Sequence, residues 1–536
     1  MANLQPKKEH VDVVIIGCGA GGGVTAKELG EAGLSVVVLE VGKRYNPTTD
    51  YPTDQRDFAV KRNVFQPDDP RRDHYTSGGA QDFHYWRVKG VGGSTLAYWA
   101  VTPRFHESDF RTRTEDGVGD DWPLTYEDLE PYYTKVEYEL GVSGPSGAEG
   151  NPFDPPRSKP FPTPAHKISC PTRVLQRGAA KLGLHLVQSP LAIPTQNWGG
   201  RAACMRAGVC GLGCKVKAKS SIDVTYIPKA EATGRVEVRT YCQAREMTVG
   251  DDRKARSVVY FDAAGQEHEI TARAFVIAGN AVETPRLLLM SASSRFPEGL
   301  ANSNGLVGKY FTEHLAVGMA GVFSEWLEPW KGPMAGGVLQ DFYETDKRNN
   351  FVRGWMTEVN NGFQWPMSVA LGEQGWGSRH KFQVKRLTGH RVGLATVGEQ
   401  LPDIRNTVTL DPHVKDHFGL PVPRITNEPR ENDLAMLIAI KRHLHDIFAA
   451  SGATEIGEPD FAPGRSLHYL GSCRMGKDPR SSVVDSSCRT HDVPNLFIGD
   501  GSVFVTGAAV NPTLTIAALA TRTSEHIAAA FKRGEL

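Results

Sequence analysis

The turn Gly17-Cys18-Gly19-Ala20-Gly21-Gly22 has the residue types to hold a pyrophosphate. It follows a β-branched run and opens an apolar stretch, the context in which G-x-G-x-x-G reads as a dinucleotide fingerprint. Gly17 permits the tight turn, Gly19 lets the backbone approach phosphate and Gly22 allows close helix packing, with Ala20 and Gly21 on the same cofactor-facing turn. The helix N-terminus adds N–H donors and positive potential. Glu40 stands eighteen residues beyond Gly22 at the end of the next strand. A carboxylate there accepts hydrogen bonds from both ribose hydroxyls and repels a 2′-phosphate. NAD and FAD share this fingerprint, so the turn alone leaves both open.

Cys204, Cys210 and Cys214 form a second set, spaced C-x5-C-x3-C among glycines that let backbone N–H groups reach sulfur. Three thiolates suit an iron–sulfur cluster with one corner free of protein, whereas a structural zinc needs a fourth ligand that the loop lacks. Buried free thiols are the alternative. Arg201, Arg206, Lys215, Lys217 and Lys219 surround the loop, either to offset cluster charge, to dock an acidic electron acceptor, or simply as a solvated face.

The elements that must position these residues follow from periodicity. Residues 11–16 and 35–39 read as buried strands and 24–32 as a helix closed by Gly33, a βαβ unit that requires a parallel sheet. Residues 145–164 hold seven prolines, too many for a helix or central strand, and read as an extended linker or surface loop. From 316 to 461 the chain carries Trp326, Trp330, Trp355, Trp365 and Trp376 and antiparallel-type strands such as 407–410, a substrate lobe in which the tryptophans either stack on sugar faces or pack a core. Residues 434–448 place Leu437, Ile440, Leu444, Ile447 and Phe448 at helical spacing. His443 and His445 on that helix point apart and do not make a metal pair. Asn511-Pro512-Thr513 precedes a helix over 514–531, with Asn511 as N-cap and Pro512 at the first helical position.

Charge removes several function classes. Lys plus Arg and Asp plus Glu both total 61, so no net field draws the chain to nucleic acid or anionic lipid. No apolar run is long enough to span a bilayer. Lys7, Lys8 and Glu9 lead straight into a strand rather than a signal segment, which makes a cytoplasmic location the default expectation and a periplasmic or membrane-associated one dependent on a partner subunit. Eight cysteines are too few for a disulfide scaffold in 536 residues.

Three stretches then resemble the glucose-methanol-choline (GMC) family of FAD oxidoreductases: Gly90-Val91-Gly92-Gly93-Ser94-Thr95, residues 278–288, and residues 495–520. The likeness runs in order along nearly the whole chain. It implies a Rossmann-like FAD-binding domain with a parallel sheet, α/β in class, and a substrate-binding lobe built on an antiparallel sheet with helices. The implied FAD domain takes residues 8–45, 85–160, 204–315 and 462–532, and the substrate domain 46–84, 161–203 and 316–461. Gly92, Gly93, Ser94, Ala244, Asp500, Gly501, Asn511, Pro512 and Thr513 would join the glycine turn and Glu40 in holding FAD. The flavin is expected to be noncovalent, because Thr95-Leu96-Ala97-Tyr98-Trp99 offers no histidine for attachment. His468 and Asn511 match the family's catalytic pair, an imidazole that takes the alcohol proton and an amide that orients the hydroxyl. The cysteine spacing resembles that of flavoprotein subunits of bacterial sugar dehydrogenases in this family, which implies a three-iron four-sulfur cluster.

The activity implied is oxidation of an alcohol, of a sugar, glycoside or polyol, with electrons passed to a cytochrome subunit, a quinone or a small redox protein, and with a small partner subunit. The rival activities are an oxidase that reduces O₂, a dehydrogenase of aryl, long-chain or polyether alcohols, a light-driven fatty-acid decarboxylase without a general base, and a flavin-binding module without turnover.

Overall fold

A computed structural model describes residues 10–65, 74–147, 150–362 and 365–536, so Lys7, Lys8 and Glu9 lie outside the described residues. The opening unit is β1 (His10–Ile16), α1 (Ala20–Glu31) and β2 (Val36–Glu40). The helix begins at Ala20, inside the glycine turn, rather than at Val24 where its apolar pattern starts. Close backbone contact outweighs the poor helix propensity of glycine there. A Cβ on Gly21 would lie 1.5 Å from the Gly499 carbonyl oxygen, and one on Gly22 would lie 2.0 Å from that of Gly17.

β1 and β2 belong to a seven-stranded sheet. Val236–Thr240, β2, β1, Glu267–Ile277 and Leu496–Ile498 pair in parallel, and Ala255–Phe261 and Gln243–Val249 extend the sheet in antiparallel fashion. The carboxyl ends of the parallel strands, where ligands bind in open α/β sheets, therefore gather the Gly17 turn, Gly279 and Gly499 side by side.

Two further sheets complete the frame. An eight-stranded antiparallel sheet includes Val317–Val322, Arg391–Glu399, Trp355–Asn360 and Ala335–Leu339. A five-stranded sheet joins Leu470–Ser472, Lys309–Thr312, Thr407–Lys415 and Pro421–Thr426, so the strand expected at 407–410 lies here rather than among the larger sheet's strands. The chain crosses from one of these sheets to the other at Glu313, over 400–406 and over 462–469. His468 lies on the last of these crossings and His314 directly follows the first.

The expected helix at 434–448 spans Glu431–Ser451, extended by a capping box of Arg430 with Asp433 and closed by Gly452 in the left-handed region. It buries Met436, Ile440, Leu444 and Phe448 against the eight-stranded sheet. His443 is buried against Phe342 and Trp355, and His445 is exposed. The proline-rich stretch closes on itself, since Ser143–Gly144 pairs in parallel with Thr163–Pro164. It is a loop rather than a linker.

A buried guanidinium braces the inner end of the large sheet. Arg353, 1% exposed, pairs with Asp109, with Glu399 at 2.7 Å and with Asp116 at 3.2 Å. Tyr343 donates to Asp109 at 2.7 Å and accepts the Ala509 N–H at 3.4 Å, while the Ala508 N–H serves Glu399. The network thereby fixes the segment leading to Asn511. Arg353→Met is expected to cost about 3–5 kcal/mol, read as a lowered urea midpoint. An unchanged midpoint would show that Asp109 and Glu399 need no cation.

Candidate active site

A cavity of about 540 Å³ runs along the carboxyl ends of the parallel strands to the face of the eight-stranded sheet. Gly17, Gly19, Ala20 and Gly21 line one end, Glu40, Ala244, Gly93, Ser94, Asp500 and Gly501 its length, and His468, Asn511, Pro512 and Thr513 the other end. Gly22 and Gly92 stand one step back. Gly22 packs on Gly17, and Gly92, at φ 110°, donates its N–H to the Cys18 carbonyl at 2.9 Å and so ties the two loops together.

Whether the turn fits a dinucleotide is decided by what it leaves open. A Cβ on Gly19 would meet nothing nearer than the Gly93 Cα at 3.8 Å, so protein packing does not require glycine there, and approach of a ligand would. No side chain caps α1, which leaves its first-turn N–H groups for an anion. Glu40 is buried. Its two oxygens accept the N–H groups of Cys18 at 2.9 Å and Gly42 at 2.8 Å, so the carboxylate first holds the turn and offers only its remaining lone pairs to a ribose. Burial raises its pKa against those backbone bonds. Asp500 likewise accepts the Ser502 and Asn280 N–H groups at 2.8 and 3.0 Å and the Thr284 hydroxyl at 2.5 Å. These residues fit FAD.

At the far end the buried His314 and the half-buried His468 meet, Nδ1 to Nδ1 at 3.0 Å. His314 Nε2 lies 3.1 and 2.9 Å from the carbonyl oxygens of Gly507 and Ala508, which only accept, so Nε2 carries the proton. In the neutral ring Nδ1 is then bare and can only accept. His468 must therefore donate from Nδ1, which leaves its Nε2 unprotonated. That is the tautomer a general base needs. Burial drives both rings down, His314 to about 4 and His468 well below 6.5, with His314 adding to the second shift. Ser466 supports the pair: its hydroxyl donates to Glu313 at 2.8 Å and accepts the backbone N–H of His468 at 3.2 Å and of His314 at 3.4 Å. Leu467, at φ 59°, is held in the left-handed region immediately before His468.

Asn511 is not the helix cap that its sequence suggests. The helix spans Thr513–Lys532 with Pro512 at the cap position, because the Pro512 carbonyl already accepts the Ile516 N–H. The Asn511 side chain is freed to face Glu358, and its Oδ1 is buried without a partner. Glu358 and His314 carry no sequence motif. An acid inside the Trp355–Asn360 strand, beside Trp355, Met356 and Val359, was a usable signal for the first, and no spacing pointed to the second.

For the tryptophans and cysteines the sequence left two readings open. None of Trp326, Trp330, Trp355, Trp365 or Trp376 lines the cavity; Trp86 and Trp99 do. Trp355 stacks on Phe342 at 5.0 Å and Trp365 sits edge-on to Phe58 at 5.6 Å. Cys204, Cys210 and Cys214 are free, and among the described residues no group of three Cys, His, Asp or Glu is arranged to hold a metal ion. Burial pushes the Cys204 thiol up to about 12 and raises that of Cys210. Nothing among the described residues supports an iron–sulfur cluster in this loop. Nor is Lys219 part of a solvated face. It is 1% exposed, and its Nζ donates to the carbonyls of Leu96 and Cys210, both at 2.7 Å, as a strut between the cysteine loop and the Gly93 loop.

Two family models, both described as GMC oxidoreductase, match residues 12–316 and 402–520. The chain belongs to the GMC oxidoreductase family, has its FAD-binding fold, and is an enzyme acting on alcohol groups. It is 35% identical to 2-methyl-1,2-propanediol dehydrogenase of Mycolicibacterium austroafricanum, over 98% of this chain and 96% of that one. It is 32% identical to the fructose dehydrogenase large subunit of Gluconobacter japonicus, over 98% of each. Among solved structures, a formate oxidase superposes with a TM-score of 0.69 at 16% identity over 99% of this chain and 100% of that one, a likeness of fold alone.

Because the depressed pKa keeps His468 neutral as pH falls, kcat is expected to stay level down to pH 6.5 and to drop only below it. An acid limb in kcat centred above about 7 would contradict a neutral buried pair. His314→Phe, unable to accept from His468, should slow flavin reduction on the order of 10²-fold with FAD content unchanged.

Proposed function

We propose that the chain is an FAD-dependent dehydrogenase that oxidises a carbinol of a sugar, polyol or related diol, with His468 as general base and Asn511 as the group that orients the hydroxyl. The observation that carries this assignment is the bare Nε2 of His468 on the same cavity as the Gly17–Gly21 turn. Gly17, Gly19, Ala20, Gly21, Glu40, Gly93, Ser94, Ala244, Asp500, Gly501, Pro512 and Thr513 would hold FAD, which supplies the hydride acceptor when bound.

The chain's own residues handle the proton. The substrate hydroxyl donates to His468 Nε2 and passes its proton there as the carbinol C–H bond breaks, giving a carbonyl product. The Asn511 amide holds the carbinol oxygen as negative charge develops on it, and the uncapped N-terminus of Thr513–Lys532 adds positive potential at the same end of the cavity. The imidazolium keeps its Nδ1–H on His314 until the proton leaves.

The substrate class is supported by the relatives' names, a diol dehydrogenase, a fructose dehydrogenase and the paromamine 6′-oxidase of Streptomyces fradiae, 31% identical over 96% of this chain and 91% of that one. Electrons are assigned to an acceptor other than O₂, as the two dehydrogenase names support; an iron–sulfur relay has no support among the described residues and is left out. A division into an FAD lobe over 8–45, 85–160, 204–315 and 462–532 and a substrate lobe over 46–84, 161–203 and 316–461 accompanies this proposal. Among the described residues no helix is long and apolar enough to cross a membrane.

His468→Ala is expected to retain FAD and to lose on the order of 10²- to 10⁴-fold in flavin reduction rate, measured by rapid-mixing absorbance under anaerobic conditions. Near wild-type reduction would remove His468 from the mechanism. Substrate-reduced enzyme should reoxidise rapidly with an artificial acceptor and slowly in air; fast turnover on O₂ would make it an oxidase.

A further inference from the structure

We propose that Glu358 selects substrates that carry a second hydroxyl on the carbon next to the oxidised carbinol. This rests on the reading above of the same cavity as an alcohol site.

Glu358 lies on the strand Trp355–Asn360, in register with Ala395 on one neighbour and Val338 on the other. Alternate residues of a strand share a face. Glu358 and Asn360 line the cavity, whereas Trp355 and Val359 pack the core on the other side. The small side chain of Ala395 beside it leaves the carboxyl free to reach inward.

Its surroundings differ from those of other buried acids here. Glu137 has Arg104 at 2.7 Å, Glu399 has Arg353 at 2.7 Å, and Glu283 has Arg87 at 2.7 Å. Glu313, also without a cation among its contacts, accepts from Gly464, Ser466 and Asn427. Glu358 is 7% exposed, its only assigned partner is the Asn511 side chain, and its Oε1 is buried with no hydrogen bond. Asn511 Oδ1 beside it is equally bare. Burial lifts the Glu358 carboxyl to about 7. An unpaired buried acceptor costs on the order of 1–3 kcal/mol, more if charged, and the residue that carries it lines the cavity in which substrate would sit.

The reacting hydroxyl cannot satisfy it, because that proton goes to His468 Nε2. A donor on the adjacent carbon is the nearest one a substrate can supply. A hydroxyl suits a carboxyl that titrates near 7, since it donates to the ionised form and accepts from the protonated one. An ammonium is served by the ionised form alone. The 2-methyl-1,2-propanediol in one relative's name has this vicinal arrangement.

The test compares 1,2-propanediol with 1-propanol on the FAD-loaded protein. Wild type is expected to favour the diol by on the order of 10²-fold or more in kcat/KM, because a buried acceptor left unpaired rejects the analogue lacking the donor. Glu358→Leu should collapse that ratio at least about tenfold, and Glu358→Gln, which still presents an oxygen acceptor, should restore part of it. A merely structural role would not move this ratio. Calorimetry adds a readout without turnover: 2,3-dimethyl-2,3-butanediol, which cannot be oxidised at either carbinol, should bind wild type more tightly than tert-butanol and lose that advantage in Glu358→Leu. Equal wild-type kcat/KM for diol and mono-alcohol overturns the proposal. So does a ratio that survives Glu358→Leu, or a clear preference for 2-amino-1-propanol over the diol. If neither alcohol reduces the flavin yet the tertiary diol binds through Glu358, the alcohol chemistry fails and the recognition stands.

Discussion

The hydrogen bond between the Nδ1 atoms of His314 and His468 is the interaction on which the site depends. Two bare imidazole nitrogens cannot bond to each other, and two protonated ones repel. One proton must lie between them, and its owner is decided elsewhere, by the Gly507 and Ala508 carbonyls that hold His314 Nε2–H. Backbone geometry over 507–508 thus sets which face of His468 is basic. The fold invests in that geometry: Ala508 sits at φ 55°, and the Arg353 network reaches it through Glu399 and Tyr343. Sheet topology brings the rings together, because each stands where the chain crosses between the five-stranded and the eight-stranded sheet.

The glycine turn is tied to this centre through shared loops. Asp500 closes the 279–284 loop, and eleven residues later the same segment delivers Asn511. Gly92 is bonded to Cys18, and Lys219 braces the following turn from the cysteine loop. The cysteine loop therefore has a structural use, because it anchors a buried cation that holds the Gly93 loop in place.

The legible parts of the sequence were those whose constraint is local. A Gly-rich turn after a β-branched run, an acid ending the next strand and an amphipathic 21-residue helix each declare themselves within one element. Asn511 misled as a cap, since Asn before Pro satisfies the local rule while the tertiary structure uses its amide against Glu358. His314 and Glu358 were illegible for a related reason. Each acts only against residues more than 150 positions away, His468 in one case and Asn511 in the other, and no spacing along the chain encodes such a meeting. The tryptophans showed the converse: composition marked them, but packing, not ligand contact, consumes Trp355 and Trp365.

One physical cause shapes both titratable groups that face the substrate end. Desolvation is the largest influence on His468 and on Glu358, and it pushes them in opposite directions because it disfavours charge of either sign. The imidazole is kept neutral and able to take a proton. The carboxyl is kept close to neutral and able to share a hydrogen bond without imposing a full negative charge beside a carbinol that must itself become electron-rich. An ordinary ionised glutamate at that distance would oppose alkoxide development, and an ordinary histidine would be partly protonated before substrate arrived. The burial supplied by the eight-stranded sheet and the 511–513 segment around this end of the cavity therefore acts on both groups at once. It sets the protonation state that each residue needs before the alcohol binds.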